Sequence, residues 1–228
     1  MSSKRYNAEI TLTLTNRLAR KISGENAGKG EADIHMSEGV AQDLLAKLLG
    51  SKLPNHGLVR ENEGFPDNAS LKDLIPDILI DRTDDKTWGV VELKMLLKDD
   101  RLSAGEVERD LDKLCMYKEA LPHIAAYFLL VGSRAKLFSP QRSKTWAELK
   151  ITYERHQFDK PGRQDLENGY SAVPAGKYDN DDDPIVAFLW EIIPGADGPV
   201  VRTPDYAFDV TMFDGAAAVS TPARLTST

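Results

Sequence analysis

IPDILI (residues 75–80) and WGVVELK (residues 88–94) are the two segments that decide the fold of this chain. Both are rich in apolar and β-branched residues and have the length of a strand, and such segments normally bury both faces in a sheet. The residues between them, DRTDDKT (81–87), have the composition of an exposed turn. Together the three pieces predict a β-hairpin.

Charged residues interrupt both predicted strands. Asp77 lies inside the first segment, and Glu92 and Lys94 lie near the end of the second. A carboxylate in a strand that is otherwise buried costs several kcal/mol unless its charge is compensated. Because a hairpin would bring both carboxylates and the amine together, the pattern predicts a site at which a divalent cation supplies that compensation.

Pro76-Asp77, followed after a spacer of fourteen residues by Glu92-Leu93-Lys94, resembles the signature of the PD-(D/E)xK phosphodiesterase superfamily, the restriction-endonuclease-like nucleases. The resemblance implies that Asp77 and Glu92 hold Mg²⁺, for which Mn²⁺ would substitute. It also implies that Lys94 orients or activates the attacking water. The family core of helix, three strands, helix and strand would cover roughly residues 37–132.

The acid-x-Lys spacing has a physical reason. Residues two apart in a strand point to the same face, so Lys94 lies beside Glu92 and can reach the scissile phosphate or the attacking water. Its ammonium is compact, and its pKa shifts readily near other charges. Carboxylate oxygens suit Mg²⁺, which keeps several waters and takes few protein ligands.

Two further carboxylates are candidate metal ligands through the same resemblance. Many members of the superfamily place one glutamate on the first helix and another on the strand before the Pro-Asp strand. Glu38 follows Ser37, a good helix N-cap, although a favourable interaction with the helix macrodipole explains an acid there equally well. Either Glu61 or Glu63 could fill the second place, and we name Glu63; solvated surface charge is the alternative.

Local signals predict two helices. The first begins at Ser37, runs to about Leu49 and ends at Gly50. Its predicted buried stripe consists of Val40, Leu44, Leu45 and Leu48. The second begins at a capping box, Ser103 to Glu106, and runs to about Leu121. Its predicted buried stripe consists of Val107, Leu111, Leu114 and Leu121.

Asp110, Lys113 and Tyr117 line a second flank of the later helix at helical spacing. One interpretation is a solvated ion pair beside a half-buried tyrosine. The other is that Lys113 or Tyr117 contacts the phosphate backbone of a nucleic acid, because in the superfamily this helix packs behind the acid-x-Lys strand.

The rest of the chain completes the predicted sheet. Residues 124–132 form a buried strand parallel to the acid-x-Lys strand, reached by a helical crossover. Residues 185–193 and 206–213 are further strands, and residues 154–183 are polar and rich in turn formers. Residues 1–22 fit either a strand or a helix. The predicted fold class is therefore α/β: a restriction-endonuclease-like core with a mixed central sheet flanked by helices and extra C-terminal strands.

Length and composition indicate how many domains the chain forms and in which compartment it works. The chain has 228 residues, of which 41% are hydrophobic and 29% charged, which fits one domain over residues 1–214. Its core would span about residues 37–132, its C-terminal elaboration residues 133–214, and residues 215–228 would be a disordered tail. No apolar segment approaches the roughly 20 residues that span a bilayer. The single cysteine, Cys115, fits a reducing compartment, so a cytoplasmic protein is expected.

Charge is segregated along the sequence. The net charge of −7 disfavours a uniformly basic surface, yet no acid occurs between residues 120 and 147. The basic residues of that stretch are predicted to contact the DNA backbone: Arg134, Lys136, Arg142 and Lys144.

Three functional interpretations follow. The first is a metal-dependent nuclease that acts on DNA, with a homodimer left open by the resemblance. The second is a nuclease-fold module that binds nucleic acid or a protein partner without cleavage. The third is an unrelated α/β protein in which the motif is coincidental.

Overall fold

The computed structural model describes residues 9–52, 57–65, 68, 70–82, 87–98, 100–139, 164–165 and 169–194. Four α-helices and one short 3₁₀ helix, Glu31–Asp33, lie in this part of the chain. Helix α1 covers residues 9–25 and contains a π-helical turn, Thr13–Arg17, before its last segment Leu18–Glu25. Helix α2 is Glu38–Lys52, α3 is Ala104–Ala120 and α4 is the single turn Arg134–Leu137.

Seven strands form one mixed sheet. They are β1 Gly57–Glu61, β2 Ile78–Arg82, β3 Thr87–Leu96, β4 Ala125–Ser133, β5 Gln164–Asp165, β6 Tyr170–Tyr178 and β7 Ile185–Pro194. Their spatial order is β1-β2-β3-β4-β7-β6-β5. Only the β3–β4 pair is parallel; all other neighbours are antiparallel. The α/β class and the mixed sheet flanked by helices are therefore confirmed.

The sheet has an apolar core on each face. On one face, α1 and α2 pack against alternate residues of the strands, among them Val91, Leu93 and Leu129. On the other, α3 packs against the intervening residues, including Val90 and Phe128. Because side chains alternate along a strand, Glu92 and Lys94 belong to the α3 face. Within the described residues, no helix is both long and apolar enough to cross a bilayer.

The hairpin, the capping box and the crossover strand are confirmed. Strands β2 and β3 are antiparallel neighbours, and β3 and β4 are parallel. The Ser103 hydroxyl accepts a hydrogen bond from the Glu106 N–H, while the Glu106 carboxylate accepts one from the Ser103 N–H. The predicted strand at 75–80 begins later, at Ile78, so Asp77 stands just before the strand rather than within it.

The predicted buried stripe of α2 is confirmed at Leu45, and Leu44 and Leu48 pack partly buried against the core. The prediction is wrong at Val40 and for the end of the helix. Val40 is 53% exposed, whereas Ala41, Leu45 and Leu49 form the buried row. Ala41, Leu45 and Leu49, spaced four residues apart, face the core. Leu44 and Leu48 are therefore only partly buried, and Val40 faces solvent. Nor does Gly50 end the helix, which continues through Lys52.

The sequence left residues 1–22 open between a strand and a helix; the described part, residues 9–22, is helical, because Ile10, Leu14, Leu18 and Ile22 recur every four residues and are fully buried. The polar stretch 154–183 contains β6, which pairs with β7 along its length and has a bulge between Pro174 and Gly176. Proline and glycine disguise this strand in the sequence. The predicted strand at 206–213 and the tail at 215–228 lie outside the described residues.

Gly132 marks the tightest approach between β3 and β4, because a Cβ there would stand 2.6 Å from the Leu96 carbonyl oxygen. We expect Gly132→Ala to lower the free energy of unfolding by about 1–3 kcal/mol, since the backbone must shift. Gly105→Ala is the control, because its Cβ meets nothing within 4 Å, and it should hold stability or raise it by up to about 1 kcal/mol. Urea denaturation measures both; equal effects would contradict the close approach.

Candidate active site

The candidate site lies where β2 begins; beyond that point β3 keeps its partner β4 but has no strand on its other edge within the described residues. Ile78, the first residue of β2, pairs with Val91, so residues 92–96 of β3 extend past it. Asp77 lies at this point. The turn after β1 holds its backbone, because the Asp77 carbonyl oxygen accepts a hydrogen bond from the Asn62 N–H at 3.2 Å. Asn62 has a φ of 50°, a left-handed conformation that asparagine tolerates. The turn after β1 therefore positions the first acid of the motif.

Carboxylates cap the backbone along this open edge of β3. N–H groups on one edge of a strand belong to alternate residues, here Leu93, Met95 and Leu97. The Leu93 N–H donates to Asp77 Oδ2 at 2.6 Å, and the Leu97 N–H donates to Asp100 Oδ2 at 2.8 Å. The Met95 backbone N–H lies on the same edge and helps to hold down the pKa of the Glu38 carboxylate. Two acids thus cap N–H groups in β3 and just after it.

Glu92 is the most deeply buried acid of the site. It is 1% exposed, and its carboxylate lies 2.8 Å from the Lys113 Nζ of α3. Burial raises the pKa of Glu92 to about 8, the nearby Asp77 carboxylate adds to this rise, and Lys113 opposes it. The ion pair with Lys113 therefore compensates the burial of Glu92 only in part.

Lys94 lies between two acids from opposite sides of the sheet. Its Nζ is 3.1 Å from Asp110 Oδ2 on α3 and 3.4 Å from Glu38 Oε1 on α2. Burial lowers the pKa of Lys94, but the carboxylates of Asp110, Glu38 and Asp77 outweigh it and raise that pKa above its ordinary value. Lys94 is therefore a cation at neutral pH.

The cluster carries more negative than positive charge. It contains the carboxylates of Glu38, Asp77, Glu92 and Asp110 and the ammonium groups of Lys94 and Lys113, an excess of two negative charges when all are ionised. Burial raises the pKa of Asp77, against the Leu93 hydrogen bond and the two lysines. It also raises the pKa of Glu38, against Lys94. These raised values show that the cluster is under-compensated.

Tyr117 supplies a buried hydroxyl to the same region. The residue is fully buried, its ring centroid lies 5.5 Å from that of Phe65, and its hydroxyl has no hydrogen-bond partner. Burial raises the pKa of this hydroxyl, and the carboxylates of Glu92 and Asp77 raise it further. Because buried polar groups are rarely left unpaired, the hydroxyl fits a site that takes in water or a ligand.

The donor set fits Mg²⁺ without forming a closed metal cage. Within the described ranges, no three His, Cys, Asp or Glu side chains converge closely enough to make one. Mg²⁺ is commonly held by only one or two carboxylates with several waters, and Asp77 and Glu92 could be those ligands. The excess of negative charge that the cluster carries when its acids are ionised, together with the unpaired Tyr117 hydroxyl, suits a hydrated dication.

The other predicted site residues have varied positions. Glu38 contacts Lys94. Glu63 is exposed in the turn after β1, and none of the contacts above involves it. Glu61, the alternative to Glu63, ends β1 and is half-buried. The interpretation of Asp110 and Lys113 as a solvated ion pair beside a half-buried Tyr117 is wrong. Lys113 pairs with Glu92, Asp110 pairs with Lys94, and Tyr117 is fully buried.

The predicted basic contacts are engaged within the protein. The Arg134 guanidinium lies 2.7 Å from the Asp179 carboxylate and also donates to the Asn180 carbonyl. The Lys136 Nζ donates to the backbone carbonyls of residues 98 and 100. Arg142 and Lys144 lie outside the described residues. A basic DNA-binding face from this stretch therefore stays a prediction.

Asp110 is a site residue that sequence reasoning did not assign. The signal was its place three residues before Lys113 and seven before Tyr117 on one helix flank. The missing information was the partner, because Asp110 contacts Lys94 of β3 rather than Lys113 on its own helix.

The raised pKa of Glu92 makes stability depend on pH. Between about pH 4.5 and 8 the folded state holds a proton that the unfolded chain has released, so the free energy of unfolding should fall as the pH rises through this window. Glu92→Gln should flatten the profile and, without metal, be more stable than the parent at pH 8 by on the order of 2 kcal/mol. Denaturant titrations from pH 5 to 8.5 measure this. Glu108→Gln, an exposed control on α3, should keep the slope; an unchanged slope in Glu92→Gln would contradict the assignment.

No family model, curated protein or solved structure matched the chain in comparisons with each. The resemblance to the nuclease superfamily is therefore carried by the motif residues of the sequence and stays a prediction.

Proposed function

We propose that this protein is a metal-dependent nuclease that hydrolyses DNA phosphodiester bonds. The observation that carries the proposal is the under-compensated acid cluster at the open edge of β3, which contains Asp77, Glu92 and Lys94 together. The order of helix α2, antiparallel strands β1 to β3, helix α3 and parallel strand β4 supports a restriction-endonuclease-like core.

Each residue has a proposed role. Asp77 and Glu92 would hold Mg²⁺, which would neutralise phosphate charge and lower the pKa of a bound water. Lys94 would bind the scissile phosphate or orient the attacking water as a cation. Asp110 and Glu38 would hold the Lys94 ammonium in place. Lys113 would offset the repulsion between the Glu92 and Asp77 carboxylates when the ion is absent.

The charge of Lys94 decides between two roles, a general base and a cation that orients the substrate or the water. A lysine acts as a general base only if its pKa is depressed towards the working pH. The acids around Lys94 have the opposite effect on its pKa. We therefore assign Lys94 an electrostatic and orienting role rather than proton abstraction.

A second candidate function has its own support. Each of the four carboxylates is already engaged by a lysine or a backbone N–H, so the network holds together without an ion. A catalytically inactive module that binds nucleic acid or a protein partner would need no more than this. The two candidates differ in whether Mg²⁺ stabilises the protein and whether DNA is cut.

Cleavage assays on plasmid and on single-stranded DNA, with Mg²⁺ or Mn²⁺ and with EDTA, test the proposal. Asp77→Asn keeps an oxygen to accept the Leu93 hydrogen bond and removes the charge, so it should fold and lose at least about 10²-fold in cleavage rate. Glu92→Gln and Lys94→Met should lose a comparable factor. Lys94→Met alone should retain the Mg²⁺-induced rise in melting temperature, because it leaves both metal-binding acids.

Lys47→Met and Glu108→Gln are the controls, since both residues are exposed on helices away from the cluster. They should cleave at the parental rate. A parent that neither cuts DNA nor gains stability from Mg²⁺ would favour the inactive module.

A further inference from the structure

The Lys113 ammonium lies against the Glu92 carboxylate at the place where a cation contacts both oxygens. Its Nζ is 2.8 Å from Glu92 Oε1 and 2.9 Å from Oε2. A nitrogen almost equally distant from both oxygens lies near the bisector of the carboxylate. A metal ion that approached Glu92 from this side would therefore meet the ammonium in its place.

The two partners differ in their freedom to move. Glu92 belongs to β3, whose backbone pairs with β4, and its side chain is only 2% exposed. The Lys113 side chain is 24% exposed and ends a flexible four-carbon stem on α3. Lys113 can therefore turn its ammonium towards solvent while the helix backbone stays in place, whereas Glu92 cannot leave.

The charge balance favours an exchange of cations at Glu92. The repulsion from Asp77 affects the pKa of Glu92 more than the attraction of Lys113 does, so one ammonium does not neutralise the two acids. When both acids are ionised, Lys113 leaves one negative charge between them, and a dication in its place leaves none. Ammonium and dication together on one carboxylate would repel each other strongly in this buried place.

Lys94 provides the contrast within the same cluster. Its Nζ lies 3.1 Å from Asp110 and 3.4 Å from Glu38, two acids to which the proposed function gives no metal. Its ion pairs therefore do not compete with metal binding, and the two lysines should respond differently to a divalent cation.

We propose that Lys113 is the internal counter-ion of the metal-free site and that its ammonium leaves Glu92 when a divalent cation binds. The inference rests on the proposed function, because it takes Asp77 and Glu92 as the metal ligands. It adds a form of regulation: the site is loaded only at a metal concentration that outcompetes the ammonium, and loading releases Lys113 towards solvent.

Acetylation of lysine amines, measured residue by residue by mass spectrometry, tests the release in the parent protein without DNA. The reagent is N-hydroxysulfosuccinimide acetate, applied briefly in EDTA or in Mg²⁺. Acetylation of Lys113 should become faster in Mg²⁺ on the order of tenfold, because a charge-assisted hydrogen bond that protects the amine is lost. Lys94 should stay protected in both conditions. Lys47, an exposed lysine paired with Asp43 on α2, should react equally in both.

Two variants at this position provide a second readout, the affinity for Mn²⁺ measured by electron paramagnetic resonance. Lys113→Arg keeps the charge and can hold both Glu92 oxygens through two N–H groups, so it should bind Mn²⁺ on the order of tenfold more weakly. Lys113→Met removes the competing ammonium and should bind Mn²⁺ more tightly. The arginine variant keeps the ion pair that stabilises the metal-free fold, so its result does not depend on how well the methionine variant folds.

The outcomes separate this inference from the proposed function. Equal acetylation of Lys113 with and without Mg²⁺, a Lys113→Arg variant that binds Mn²⁺ like the parent, or a parent that binds no Mn²⁺ would each overturn the inference. A parent that cuts DNA in Mg²⁺ while Lys113 stays protected would overturn it and leave the proposed function standing. A parent that releases Lys113 in Mg²⁺ yet cuts no DNA would overturn the proposed function alone.

Discussion

The structure depends on the point at which the pairing between β2 and β3 ends, at Ile78 and Val91. Beyond Val91, the edge of β3 would present unpaired N–H groups to solvent, an arrangement that proteins normally cover. Here side-chain carboxylates cover it, and covering it requires acids to be concentrated at one place. The same acid therefore covers the strand edge and belongs to the candidate metal site. Asp77 accepts a hydrogen bond from the Leu93 N–H and lies near the Glu92 carboxylate.

Concentrating acids in a half-buried place has a cost that the lysines reduce. Lys113 pairs with Glu92, and Lys94 is shared between Glu38 and Asp110. Breaking a buried pair by removing one partner is far more damaging than its net contribution suggests, so these lysines hold the metal-free fold together. The remaining excess of negative charge is what makes a cation favourable there.

The sequence predicts the parts of the fold that local chemistry determines. The hairpin, the capping box at Ser103 and the crossover strand follow from apolar runs, turn residues and cap spacing, and all are confirmed. Strand β6 depends on its pairing with β7, and the buried face of α2 depends on how the helix packs on the sheet. Their local sequence patterns therefore gave wrong predictions. The convergence of Asp77, Glu92 and Lys94 followed from the hairpin alone. Asp110 and the unpaired Tyr117 hydroxyl could not be foreseen, because they depend on how α3 lies across the sheet.

The central claim is that a divalent cation binds at the open edge of β3, and paramagnetic broadening by Mn²⁺ tests it most directly. In a ¹H–¹⁵N NMR titration with substoichiometric Mn²⁺, the amide signal of Leu93 should disappear first, because its N–H group contacts the Asp77 carboxylate. The exposed acids Asp181 and Asp182 provide an internal comparison. Earlier loss of signals around those two residues, with Leu93 unaffected, would contradict the account.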